Sequence, residues 1–152
     1  MRRTEREIKE RREIDAILQR ATVVYLGLND DGMAYVVPMN FGYDGKSLYL
    51  HSAMEGRKIA VLKRHPAVSF VVAVDNAVVP GELGCKWSAR YRSVMGEGDA
   101  RFLTNREEKT RALDTVLGKF ATGPFQYAPE VLARTAVIQV EIRSISGKQA
   151  GW

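Results

Sequence analysis

Apolar residues recur along this chain in two periods, and the alternation between them predicts its elements. Ile14, Ile17, Leu18 and Ala21 fall on one helical face, which predicts a helix packed on the body. Thr4-Glu5-Arg6-Glu7 reads as a capping box, so the helix is expected to open there. Thr22 to Leu28 is a β-branched and aromatic run, a strand by composition. Asn29-Asp30-Asp31-Gly32 turns it into a second strand, Met33 to Val37, and Pro38 marks an edge, a bulge or the end of pairing. Asp44-Gly45 between apolar runs is a hairpin turn, after which Leu48 and Leu50 share one face of a further strand. His51-Ser52-Ala53 is expected to leave that strand, and Gly56-Arg57-Lys58 opens a helix that His65-Pro66 closes.

Ala67 to Val74 is a nearly continuous apolar run, expected as a buried strand. Asp75 to Trp87 reads as a loop. Tyr91 to Gly98 reads as a strand that Gly96 and Gly98 interrupt and Asp99 to Leu103 extends. Thr104-Asn105-Arg106-Glu107 repeats the capping-box pattern ahead of a helix carrying Ala112, Leu113, Val116, Leu117 and Phe120. Pro129 to Leu132 predicts one helical turn, Thr135 to Ile145 a closing strand, and Ser146 to Trp152 a polar tail. Strands do not alternate regularly with helices. Six or seven of them, hairpin-connected at the start, predict a mainly β fold: an antiparallel barrel with peripheral helices.

At 152 residues, 45% hydrophobic and 27% charged, the chain is expected to form one domain, 1–152. No apolar run approaches the roughly 20 residues needed to cross a bilayer. Charge replaces the apolar region of a secretory signal, and Cys85 is a single cysteine, so a cytoplasmic protein without membrane contact is expected. The net charge of +5 raises nucleic acid as a partner. Much of the basic content, however, lies in Arg2, Arg3, Arg6, Lys9, Arg11 and Arg12, interleaved with Glu5, Glu7, Glu10 and Glu13. Mixed signs at helical spacing make a solvated, ion-paired face, and nucleic acid is not expected.

One stretch carries the candidate chemistry. His51-Ser52-Ala53…Gly56-Arg57-Lys58 places a hydroxyl, the N–H groups of a helix start and two cations in eight residues, the ingredients of a phosphate site. The alternative is a surface connection with a helix-capping serine. Lys86-Trp87-Ser88-Ala89-Arg90-Tyr91-Arg92-Ser93-Val94 reads either as a solvated strand edge or as cations and aromatics over a flat anionic ligand. The phosphate-loop and dinucleotide fingerprints are missing. His51 and His65 lack the neighbours of a zinc site, so no metal is expected. Ser52 has no nucleophile elbow around it.

Pro38-Met39-Asn40-Phe41-x-Tyr43, Leu48-Tyr49-x-His51-Ser52-Ala53-x-x-Gly56-x-Lys58 and Tyr91-Arg92-Ser93-Val94-x-Gly96-x-Gly98 resemble the FMN-binding split-barrel proteins related to pyridoxamine-phosphate oxidase. Within them the Nim-type, nitroimidazole-resistance group is most similar. The resemblance implies a homodimer with FMN at the subunit interface. By position, Val37, Pro38, Met39 and Asn40 would line the isoalloxazine ring. Ser52 and Lys58, with Arg57, would hold the phosphate, Ala53 would belong to the same cofactor pocket, and His51 would lie beside the flavin as the catalytic group. Arg90, Tyr91 and Ser93 would complete the pocket from a neighbouring strand or subunit. The implied function is an FMN-dependent oxidoreductase that moves electrons from NAD(P)H to a small flat acceptor such as a nitroaromatic. The alternative is a flavin-binding or storage protein without dedicated turnover.

Overall fold

Eight antiparallel strands form one sheet that curls into a split barrel with helices around it. The computed structural model describes residues 3–152, and Arg2 lies outside them. The strands are β1 (Glu7–Ile8), β2 (Val23–Asp30), β3 (Met33–Asn40), β4 (Gly42–Tyr43), β5 (Ser47–Ala53), β6 (Ala67–Val79), β7 (Ser88–Leu103) and β8 (Thr135–Ala150). The helices are α1 (Arg11–Arg20), α2 (Arg57–Arg64), α3 (Arg106–Leu117) and α4 (Pro129–Ala133). The spatial order is β3-β2-β6-β7-β8-β5-β4, with β1 added beside β8. Among the described residues, no helix is long and apolar enough to cross a membrane.

Alternation places the core. Val24, Leu26 and Leu28 of β2, Val68, Phe70 and Val72 of β6, and Leu48 and Leu50 of β5 point into the barrel. Phe41, Leu26, Leu48, Leu50 and Ile138 are fully buried, each worth about 1.5–3 kcal/mol of transfer free energy. A second, smaller cluster lies outside β8, where Val137 and Leu103 meet Ala112 and Leu113 of α3 and Leu132 of α4. The start of β8 is therefore covered on both faces. Buried Lys109 of α3 donates to the Leu132 carbonyl and ties the two helices together.

Several boundaries differ from the sequence expectation, and tertiary pairing explains those of the strands. The first helix opens at Arg11 rather than Thr4. Thr4–Arg6 is a 3-10 turn, and Glu7 and Ile8 pair with Lys148 and Gly147 of β8. Ile8 is buried there, and a side chain on Gly147 would come within 2.8 Å of the Ile8 Cβ, so this close approach overrides the local capping pattern. β6 alternates between exposed and buried residues instead of being buried throughout, and it runs on to Val79 through a bulge at Asp75, whose φ is 59°. β7 is unbroken. Gly96 admits the Phe70 ring, and the register shifts at Gly98, where a Cβ would strike the Glu141 carbonyl. The supposed polar tail continues β8 as far as Ala150. Asn105, not Thr104, caps α3, accepting from the N–H groups of Glu107 and Glu108 at 2.8 and 3.2 Å. Phe120 lies beyond α3 and is exposed.

Two side-chain clamps orient α1. Lys119 donates to the carbonyls of Leu18 and Ala21, both at 2.7 Å, satisfying the end of α1 over the face of Phe41. Burial pushes its ammonium down to about 8. At the other end, Tyr43 donates to Asp15 at 2.6 Å and accepts from Arg11 at 2.8 Å.

Candidate cofactor-binding site

The barrel is split where two strand edges face each other without pairing. β3 is bonded to β2 alone, and β4 pairs β5 at Leu48 and Tyr49 alone, so Leu50 to Ala53 has β8 on one side and an open edge on the other. β3 and β5 come into contact across this slot. Pro38, which has no N–H, sits within β3 opposite Tyr25, in accord with an edge strand. Of the residues expected to line a ring, Met39 is buried and Val37 half-buried against the core. Pro38 and Asn40 are exposed, and Asn40 donates to the Thr22 carbonyl at 3.0 Å.

His51, Ser52 and Ala53 stay in β5, paired with Val137, Ala136 and Thr135, instead of leaving it. The β8 partner supplies the ladder bonds that keep them extended. His51 is exposed and Ser52 half-buried. The chain then turns through Gly56, at φ 114°, into α2. Among the described residues, no side chain caps this start, so Ser52 is not its N-cap and the first-turn N–H groups lack a side-chain acceptor.

The two cations of this turn differ. Lys58 is half-buried, burial pulls its ammonium below the usual lysine range, and it has no hydrogen-bond or ion-pair partner among the described residues. Arg57 instead donates to Asp30 Oδ2 at 2.8 Å and stacks on Tyr35, its guanidinium carbon 4.2 Å from the ring centre. Arg64 holds the other oxygen of Asp30 at 2.7 Å and Asp31 at 3.1 Å, and His65 meets Asp31 at 2.8 Å. The contact with His65, then the Arg64 charge, hold the Asp31 carboxyl below its usual range. The sequence offered Asp30 and Asp31 as turn residues and gave no sign of this tie, which spans 27 positions. The donor set of unpaired ammonium, free helix N–H groups and nearby hydroxyl suits a phosphate.

Arg90, Tyr91 and Ser93 lie elsewhere. Tyr91 pairs with Ala150 and Ser93 with Lys148, whereas His51 pairs with Val137. At ~3.3 Å per residue, the two groups stand about 40 Å apart along β8. Among the described residues, no hydrogen bond or ion pair joins the two groups within one chain. In this chain Arg90 and Arg92 lie over the Trp152 ring, at 4.9 and 3.9 Å, and Ser93 Oγ donates to the Lys148 carbonyl at 3.5 Å.

A feature absent from the sequence reading is an open apolar groove of about 470 Å³ across the outer face of β3, β2, β6, β7 and β8. Val36, Tyr25 and Met95 line it, exposed at 59%, 48% and 42%.

The strand order and its split define a split β-barrel, and the sequence matches the family of pyridoxamine 5'-phosphate oxidase over residues 10–149. The chain belongs to that family. Among solved structures, a candidate 5-nitroimidazole antibiotic resistance protein from Bacteroides thetaiotaomicron is 33% identical, with a TM-score of 0.85 over 94% of this chain and 86% of that one. The flavocytochrome Anf3 of Azotobacter vinelandii and the FAD and heme binding protein of Mycobacterium smegmatis each superimpose with a TM-score of 0.87. They cover 100% and 97% of this chain and 72% and 75% of their own, and at 21% and 23% identity they speak for the fold alone. No curated protein matched the sequence.

Proposed function

We propose that this protein is an FMN-dependent oxidoreductase, working in the cytoplasm as a homodimer, that passes electrons from a nicotinamide donor to a small flat acceptor such as a nitroaromatic. The observation that carries this reading is the unpaired, half-buried Lys58 beside the uncapped start of α2, the helix that follows β5 in the chain. Family membership and the 33% identical nitroimidazole-resistance relative support the choice of ligand and acceptor.

When bound, FMN supplies the redox chemistry, and the protein supplies binding, orientation and electrostatics. Lys58, Ser52 and the α2 N–H groups would hold the phosphate. The open backbone edge of β3 from Val37 to Asn40 would offer donors and acceptors to the rim of the ring, with Ala53 in the same pocket. His51 presents an exposed imidazole at the slot, where a ring N–H can give a proton to an acceptor oxygen as it gains electrons. The separation of Arg90, Tyr91 and Ser93 from His51 supports a site completed by a second copy, and the apolar outer groove supplies a surface for pairing.

The test is to titrate the protein with FMN, reduce the complex anaerobically with a nicotinamide donor, and add a nitroimidazole while following flavin absorbance. Reduction followed by reoxidation supports the enzyme. Tight FMN binding without either step supports the flavin carrier instead. Absence of FMN binding contradicts both.

A further inference from the structure

The start of α2 carries two adjacent cations, and the fold treats them oppositely. Lys58 stands half-buried and unpaired, while Arg57 is drawn aside to Asp30 and laid on Tyr35. The same Asp30 carboxylate holds Arg64 from the far end of α2, so one acidic side chain, 20% exposed, fixes both ends of the helix to the β2–β3 turn. Asp31, one residue on, adds Arg64 and His65. The anion site therefore has an inner half with an available charge and an outer half whose cation is already neutralised and whose nearest anion is Asp30.

We propose that Asp30 is a specificity-determining residue that restricts this site to a ligand ending in one phosphate. This rests on the reading of Lys58 and the α2 start as a flavin phosphate site. A single terminal phosphate finds Lys58 and the first-turn N–H groups. A diphosphate places its second group on the solvent side of the first, where the exposed Arg57 would be its partner. Asp30 occupies that guanidinium and meets the second phosphate with like charge. Ligands carrying a diphosphate, FAD among them, are thereby disfavoured relative to FMN. Asp30 does this without touching the first phosphate, as a positioning residue acting through Arg57.

The experiment measures FMN and FAD affinities by flavin fluorescence at one pH and salt concentration. The native protein binds FMN more tightly than FAD. Asp30→Asn frees Arg57 and removes the opposing charge, and the FAD-to-FMN affinity ratio rises about fivefold, the size of one charge interaction at about 4 Å in bulk water. Asp30→Glu retains the native ratio, and adding Arg57→Gln to Asp30→Asn takes back the part of the gain that the freed Arg57 supplies. Where Asp30→Asn does not fold, Arg57→Gln alone lowers the ratio, because Asp30 is then less neutralised. A merely structural Asp30 would weaken both flavins equally, and an unchanged ratio in folded Asp30→Asn or Arg57→Gln protein overturns the proposal. If FMN binds and Lys58→Ala weakens it while the ratio stays fixed, the specificity role alone fails. If neither flavin binds the native protein, the phosphate-site reading fails with it.

Discussion

His51 and Tyr91 flank the same strand at opposite ends: His51 pairs with Val137 near the start of β8, and Tyr91 pairs with Ala150 near its finish. Each end carries part of the expected pocket. The β5 end has the serine hydroxyl, the uncapped helix start and the unpaired Lys58, and the β7 end has the cations and aromatics. In the proposed site, a second copy of the chain would join them.

The phosphate assignment is tested at Lys58. Charge-assisted contacts are worth about 1.5–3 kcal/mol, so Lys58→Ala should weaken FMN by about 10- to 150-fold and riboflavin little. The pH dependence has a definite sign. Burial lowers the pKa of the free lysine from 10.5, while a bound phosphate favours the charged form, so binding takes up a proton. The FMN-to-riboflavin affinity ratio should therefore fall as pH rises through the lowered range, beneath 10.5. A flat ratio, or equal losses for both flavins in Lys58→Ala, would contradict the assignment.

Much of this was legible in the sequence because it is local. Leu48 and Leu50, or Ile14, Ile17 and Leu18, announce their faces by spacing, and Ser52 to Lys58 is one contiguous stretch. The errors fall where distant strands decide. Ile8 joins β8 instead of a helix, and His51 to Ala53 stay extended because Val137 to Thr135 pair with them. The residues from Ser146 to Ala150 are strand because β7 lies alongside. Likewise, nothing local separates Arg57 from Lys58; the difference is Asp30, which the β2–β3 hairpin carries to α2.

His51 separates enzyme from carrier. With the flavin reduced anaerobically and a nitroimidazole added, His51→Ala should slow reoxidation by about 10²–10⁴-fold, the usual contribution of general-acid help, while FMN affinity changes far less. Stopped-flow absorbance of both proteins gives the answer. Equal rates would remove His51 from the chemistry.

Tyr43 predicts the alkaline limb of stability. Burial first, and then the hydrogen bond to Asp15, push its hydroxyl up to about 12 from 10.0. A pKa raised in the folded state stabilises fully below the unfolded value and loses that contribution as pH climbs through the folded one. Tyr43→Phe should cost on the order of 1 kcal/mol at pH 8 by removing the links to Asp15 and Arg11. That deficit should shrink between pH 10 and 12, with Tyr49, also pushed up to about 12, keeping part of the limb. Urea melts at several pH values check this, and a constant deficit would refute it.

The most direct measurement of the shared site is subunit complementation. Lys58→Ala disables the β5 end and Arg90→Ala/Tyr91→Ala the β7 end, so each variant alone should bind FMN poorly. Mixed in equal amounts and re-equilibrated, about half of the two-fold dimers would be mixed, each with one site intact and one doubly damaged. About a quarter of the native tight FMN capacity should then return. A mixture that binds no more than the average of its parents would contradict a site built from two chains.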